Sequence, residues 1–201
     1  MNNYVYIIAG LPELTLNYED NGFSYEKVKD YFFSQLSERD KSYVQLLENG
    51  FDDSKLNADF YKKTAESKSR FLKDYFLFDL HSRNMKVSYL AKRLGQDPNK
   101  HCIETPTSDF EEQKQVQAIL DKTDIVIREQ EMDELRWKVA SEITRMEYFS
   151  MDVILAFLLK AKIVQRWSEL DSSKGQEMFE KLIQEIRGTS ANLDLSRGER
   201  H

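Results

Sequence analysis

The amino-acid sequence predicts an all-α fold, a multi-helix bundle of two helical lobes, and three observations lead there. Proline is confined to Pro12, Pro98 and Pro106, while Gly50, Gly95 and Gly188 each follow an apolar periodic segment, the spacing of helix stops. Apolar side chains recur at three- and four-residue steps through most of the chain. Ser, Asn and Asp precede several of those runs, where a side-chain oxygen can accept from the first unpaired backbone N–H groups.

Tyr4-Val5-Tyr6-Ile7-Ile8 is the ambiguous element. Its β-branched and aromatic residues favour a strand, its shortness permits a helical turn before Pro12, and both readings stay open. Ser24 can cap a helix carrying Tyr25, Val28, Tyr31 and Phe32. Ser37 with Asp40 opens another over about 38–48, and Asn57 or Ser54 one near 60. Glu66 to Leu94 contains neither Pro nor Gly, and Leu72, Phe76, Leu80, Val87, Leu90 and Leu94 fall on one stripe, which predicts a single long helix. On its surface Arg70 can meet Asp74, and Asp79 can meet Arg83, each pair being worth a few tenths of a kcal/mol.

Residues 96–108 hold two prolines, polar residues and the His101-Cys102 pair, and are expected to be a linker between an N-terminal lobe (1–95) and a C-terminal lobe (109–188). Ser108 with Glu111 has the pattern of a capping box ahead of Val116, Ile119 and Leu120. A start near Asp124 leads into Met132, Leu135, Val139, Ile143, Met146 and Phe149, with Glu129, Glu131, Asp133 and Glu134 on the opposite or leading side. Ser150 precedes a strongly apolar helix through Trp167. A last helix carries Met178, Phe179, Leu182, Ile183 and Ile186, and residues 189–201 read as a disordered tail.

Composition narrows the function classes. With 40% hydrophobic and 32% charged residues in 201, the chain can bury roughly 70% of its unfolded surface. A net charge of −6 argues against a general nucleic-acid or anionic-membrane binder, although a local basic face can survive inside that total. The single Cys102 allows no internal disulfide, and the N-terminus shows no secretory signal pattern, so a cytoplasmic location is expected. The most apolar stretch, Val153 to Val164, carries Lys160 and Lys162 and is short of the ~20 residues that cross a bilayer. Residues 66–100 carry eight Lys/Arg against four Asp/Glu, and residues 101–149 six against twelve. Such neighbours either complement each other within the fold, stay solvated, or face partners of opposite sign.

No phosphate-cradling glycine run, nucleophile elbow or His-Glu-x-x-His occurs, and the residues three before His81, His101 and His201 are Phe78, Pro98 and Gly198 rather than the Glu a helical di-iron site uses. No catalytic residue, metal or cofactor is assigned. His101 and Cys102 lack the further pair a zinc site needs and read as an exposed loop. His81 reads as a polar helix position. Trp137 and Trp167 read as core anchors, and Glu142, Arg145 and Glu147 as a solvated edge.

The opening Tyr4-Val5-Tyr6-Ile7-Ile8-Ala9-Gly10-Leu11-Pro12-Glu13-Leu14, Ser37-Glu38-Arg39-Asp40, and Phe157-Leu158-Leu159 through Arg166-Trp167 resemble a bacterial family of unknown function encoded beside V-type ATPase subunits. Within that resemblance, Phe78-Asp79-Leu80 through Asn84-Met85-Lys86 to Leu90-Ala91-Lys92-Arg93-Leu94-Gly95 is similar to the long-helix ending of the C-type (also called d-type) component of V/A-type ATPases. An acidic residue, an Asn and a basic pair before Gly recur there, matched by Asp79, Asn84, Lys92, Arg93 and Gly95.

The resemblance implies a shortened relative of that C-type component. It would be a non-catalytic cap joining the central shaft to the membrane rotor ring of proteolipid subunits, and peripheral to the inner membrane through that complex only. An independent helical adaptor and a helical enzyme without a recognisable motif are the rivals. The partner-binding residues expected on the long helix are Asp79, Arg83, Asn84, Lys92 and Arg93.

Overall fold

The computed structural model describes residues 4–16 and 24–169, and among them every regular element is a helix. Eight α-helices follow in order: α1 (Tyr4–Ala9), α2 (Tyr25–Phe33), α3 (Glu38–Asn49), α4 (Ala58–Ala65), α5 (Arg70–Arg93), α6 (Gln113–Leu120), α7 (Ile125–Ile143) and α8 (Met151–Ser168). Single 3-10 turns occupy Asp53–Lys55 and Pro98–Lys100. The helix expected around Met178 to Ile186 and the tail at 189–201 lie outside the described residues.

Most starts obey local chemistry. Ser24, Ser37, Asn57 and Asp124 each accept from a backbone N–H of the first turn, as their positions ahead of apolar runs predict. The long helix begins later than expected. Ser69 caps it through the Leu72 N–H at 3.2 Å, so 66–69 becomes a turn between α4 and α5 instead of part of one rod. The capping box at Ser108 and Glu111 does not form. α6 starts at Gln113 without a side-chain cap, because Phe110 is drawn onto the rings of Phe78 and His81 and holds the chain short of helix. Ser150 takes the cap position of α8 but makes no capping bond.

α5 ends in a left-handed turn at Gly95, φ +66°. The Gln96 N–H donates to Ala91 O at 2.9 Å and the Gly95 N–H to Lys92 O at 3.2 Å. Gly50, after α3, is a glycine for another reason. Its φ of −70° suits any residue, but a Cβ there would lie 2.3 Å from the Phe76 ring. The Tyr4–Ile8 ambiguity resolves as helix. Ile7 is buried, and the Tyr4 hydroxyl donates to Asp40 at 3.0 Å, tying α1 to the start of α3.

α8 is the hub. Its neighbours are α1, α2, α3, α5 and α7, so it is apolar on several sides and needs no membrane to explain its composition. Lys160 and Lys162 snorkel, their ammonium groups lying over the rings of Trp137 and Tyr25. No described helix is long and apolar enough to cross a membrane. α5 is the second organiser, set against α4, α6, α7 and α8. Ile7, Val44, Phe76, Leu120, Val139 and Leu158, drawn from both sides of residues 96–108, enter one hydrophobic cluster.

Candidate interaction surface on the long helix

The middle of α5 is pinned by buried polar contacts. Asp79, 4% exposed, accepts from the Tyr61 hydroxyl of α4 and from Nε of Arg83, both at 2.8 Å, and Arg83 reaches on to Asp53 at 2.9 Å. Burial and then the Asp79 charge push the Tyr61 phenol well above its usual range. Burial works against the Arg83 charge, yet Asp79 outweighs it and raises the guanidinium further. One turn on, the Asn84 amide binds both polar groups of Ile103, so residues 101–104 lie along α5. Cys102 is held beside Ser88 and the Asn84 carbonyl, half-buried, while His101 is exposed.

A second network joins α5, α7 and α8. Lys86 reaches Glu129 at 3.1 Å, and Arg166 contacts Glu129 at 3.1 Å and Asp133 at 3.3 Å. Asp133 also takes Arg136 at 2.6 Å and accepts from the Trp167 indole N–H at 2.8 Å. Burial opposes the Glu129 charge, but Lys86 and then Arg166 hold its carboxyl below the ordinary range. Asp133, expected on the solvated side, is 1% exposed. Lys122 pairs with Glu131 beside this network. Among the described residues only Lys86–Glu129 links the basic stretch 66–100 to the acidic stretch 101–149 by an ion pair, so most of the two charge sets are not used against each other.

These contacts fix directions. Lys86 lies beside Glu129 and Arg166 beside Glu129, so the C-terminal end of α5, the N-terminal end of α7 and the C-terminal end of α8 meet at one end of the bundle. There the last turn of α5 is covered on one face only, where Ala91 is 4% exposed and the Pro98–Lys100 turn packs on the helix. Lys92 and Arg93 are exposed, Arg93 stacking on the Tyr89 ring at 4.6 Å, and Leu90 and Leu94 are about half exposed beside Val126 and Ile127 at the start of α7. The inward stripe expected through Leu90 and Leu94 is therefore not followed in the last turn, where Ala91 takes the buried position instead.

The five residues singled out on α5 divide. Asp79 and Asn84 spend their polar atoms inside the fold, and Arg83 bridges Asp79 to Asp53 with its side chain about one-third exposed. Lys92 and Arg93 alone stand fully at the surface. Sequence reasoning missed Tyr61, Glu129 and Asp133. The i,i+3 spacing of Asp133 and Arg136, with Met132 and Leu135 flanking, was the available signal.

Two further sites differ from expectation. His81 is a buried ring stacked on Phe110, centroids 4.9 Å apart, with Nε2 lacking a partner and burial lowering its pKa. Of the two tryptophans, Trp167 is buried and Trp137 half-buried. A cleft of about 410 Å³ opens between α4, α5 and residues 103–106, floored by Phe76, Leu77 and Leu80 and edged by Lys62, Lys73 and Glu104. Among the described residues no group of three or more His, Cys, Asp and Glu could hold a metal ion.

No curated protein and no solved structure matches the chain. A family model described as "Protein of unknown function (DUF2764)" matches residues 1–56 and 51–190, nearly the whole length. The chain belongs to the DUF2764 family of proteins of unknown function.

Proposed function

We propose that this protein is a non-catalytic coupling subunit of a V/A-type ATPase, linking the central shaft to the membrane rotor ring. The observation that carries the reading is the construction of α5. A rod of 24 residues, about 36 Å long, is held by a buried polar contact at Asp79, a half-buried one at Asn84 and an exposed ion pair at Lys86, while its last turn offers Lys92 and Arg93 to an outside surface. A part that transmits force needs a stiff member held by the body and charged at its free end. Acidic groups on the partner would meet the basic pair, giving orientation and a salt-sensitive encounter. The protein would then lie on the cytoplasmic side, peripheral to the membrane through the complex.

The test is capture from native membranes followed by mass spectrometry. Shaft or proteolipid subunits should co-purify with the wild type, and Lys92→Glu with Arg93→Glu should reduce their recovery at least about tenfold while the melting midpoint stays put. Recovery of unrelated proteins only would make the chain an independent adaptor, and turnover surviving rigorous purification would make it an enzyme.

A further inference from the structure

The opposite end of the bundle is built differently. Between α7 and α8, residues 144–150 turn sharply, and Met146, Tyr148 and Phe149 are 74%, 69% and 57% exposed. The turn is an ordered tip. The Thr144 hydroxyl donates to Ala140 O at 2.9 Å, the Glu147 N–H to Thr144 O at 2.9 Å, and the Arg145 N–H to Glu142 O at 3.3 Å. Large apolar side chains held outward on a fixed turn lose contact with water only when something covers them.

Beside this tip lies the α4–α5 corner, fastened to it by the Ser69 hydroxyl, which donates to Asp152 at the start of α8 at 2.6 Å. Residues 62–74 carry five basic side chains against two acidic ones, in a chain whose total is −6. Arg70 is paired with Asp74. Lys62, Lys63, Lys68 and Lys73 are exposed and join no ion pair among the described residues. Glu66, Glu142, Glu147 and Asp152 share this end, with Asp152 taken by Ser69 and Glu142 facing Lys138.

We propose that this end binds an anionic lipid surface directly. Met146, Tyr148 and Phe149 enter the boundary between headgroups and acyl chains, and Lys62, Lys63, Lys68 and Lys73 meet acidic headgroups. Two arguments favour lipid over protein. A convex tip of two aromatics and a methionine needs a matching recess in a protein partner, whereas a bilayer interface closes around any such wedge, and Tyr suits the headgroup level with its ring buried and hydroxyl wet. Lys62 and Lys73 edge the cleft between α4 and α5 while Lys63 lies on the other side, against α3, so the lysines are spread over a corner rather than converging on one point, which suits a plane of mobile negative charges better than a single carboxylate. This contact is separate from Lys92 and Arg93 at the far end of α5, and it stands whether or not the coupling reading does.

The full chain is mixed with vesicles of phosphatidylcholine alone, or with about one third phosphatidylglycerol, and floated through a density gradient. The wild type should float with the anionic vesicles, stay behind with neutral ones, and be released near 1 M salt, where charge attraction is screened within about 3 Å. Met146→Ser with Tyr148→Ser and Phe149→Ser should cut the bound fraction at least about tenfold with an unchanged melting midpoint. Lys68→Glu with Lys73→Glu should abolish the preference for anionic vesicles. Failure of the wild type to float, or full binding by the Ser variant, overturns the proposal. So does a concentration-dependent dimer that the Ser variant abolishes while vesicles capture nothing, since the tip would then join two copies of the chain.

Discussion

The side-chain amide of Asn84 grips both backbone polar groups of one residue: its Nδ2 donates to the Ile103 carbonyl at 2.7 Å and its Oδ1 accepts from the Ile103 N–H at 3.0 Å. This clasp lays the chain after α5 back along the helix and brings Cys102 to 3.4 Å from the Ser88 hydroxyl.

Asn84→Ala should therefore release the segment. Removing both bonds costs about 1–3 kcal/mol locally, and the Cys102 thiol should react with a disulfide reagent at least about tenfold faster than in the wild type. Equal labelling rates would mean that the segment is held by its apolar packing alone.

Asp79 anchors α4 to α5 through Tyr61 and retains Arg83. Asp79→Ala strips two donors of their acceptor and should lower stability by about 2–4 kcal/mol in urea unfolding. Tyr61→Phe removes one bond without orphaning a charge and should cost about 1 kcal/mol. A coupling energy near zero in the double variant would show that the two side chains do not act as a pair.

The Phe76 ring occupies the space a side chain at Gly50 would need. Gly50→Ala should destabilise by about 1–3 kcal/mol, because an inner ring 2% exposed has little room to yield. Phe76→Leu in the same chain should recover part of that loss. A fully additive double variant would place the strain elsewhere.

His81 makes stability fall in mild acid. Above its ordinary value of about 6.5 the imidazole is neutral in both states, and its contribution is complete. Below that, the unfolded chain takes up a proton that the buried ring, with its lowered pKa, still refuses, so stability drops until the folded value is passed. His81→Gln should flatten this part of the profile of urea midpoint between about pH 7.5 and 5. Superimposable profiles would exclude the ring.

Helix existence was legible because caps and apolar periods are local. Ser24, Ser37, Asn57 and Asp124 announce their helices within three or four residues. What could not be read is tertiary. Whether Tyr4 to Ile8 coils depends on Asp40 and α8, residues far along the chain. Asp79 and Asp133 look like surface charges in sequence, since nothing local reveals that Tyr61 or Trp167 will meet them. Leu90 and Leu94 match the inward stripe, yet in the last turn of α5 it is Ala91 that is buried. Of the proposed contact residues, Lys92 and Arg93 were named through the family resemblance rather than by any local physical signal. The tip at Met146, Tyr148 and Phe149 was hidden because Met146 and Phe149 continue the helical spacing of α7 past its end at Ile143.

Because α8 is the element that α1, α2 and α3 pack against, order of synthesis matters. α4 and α5 are consecutive and can pair as soon as both have left the ribosome. The first three helices must wait about a hundred residues for their seat, which at cellular translation speeds is on the order of ten seconds. During that interval Phe32, Val44 and Leu47 lack the α8 side of their core, so nascent chains stalled before Met151 should be strong clients for chaperones, and chains stalled after Ser168 much weaker ones.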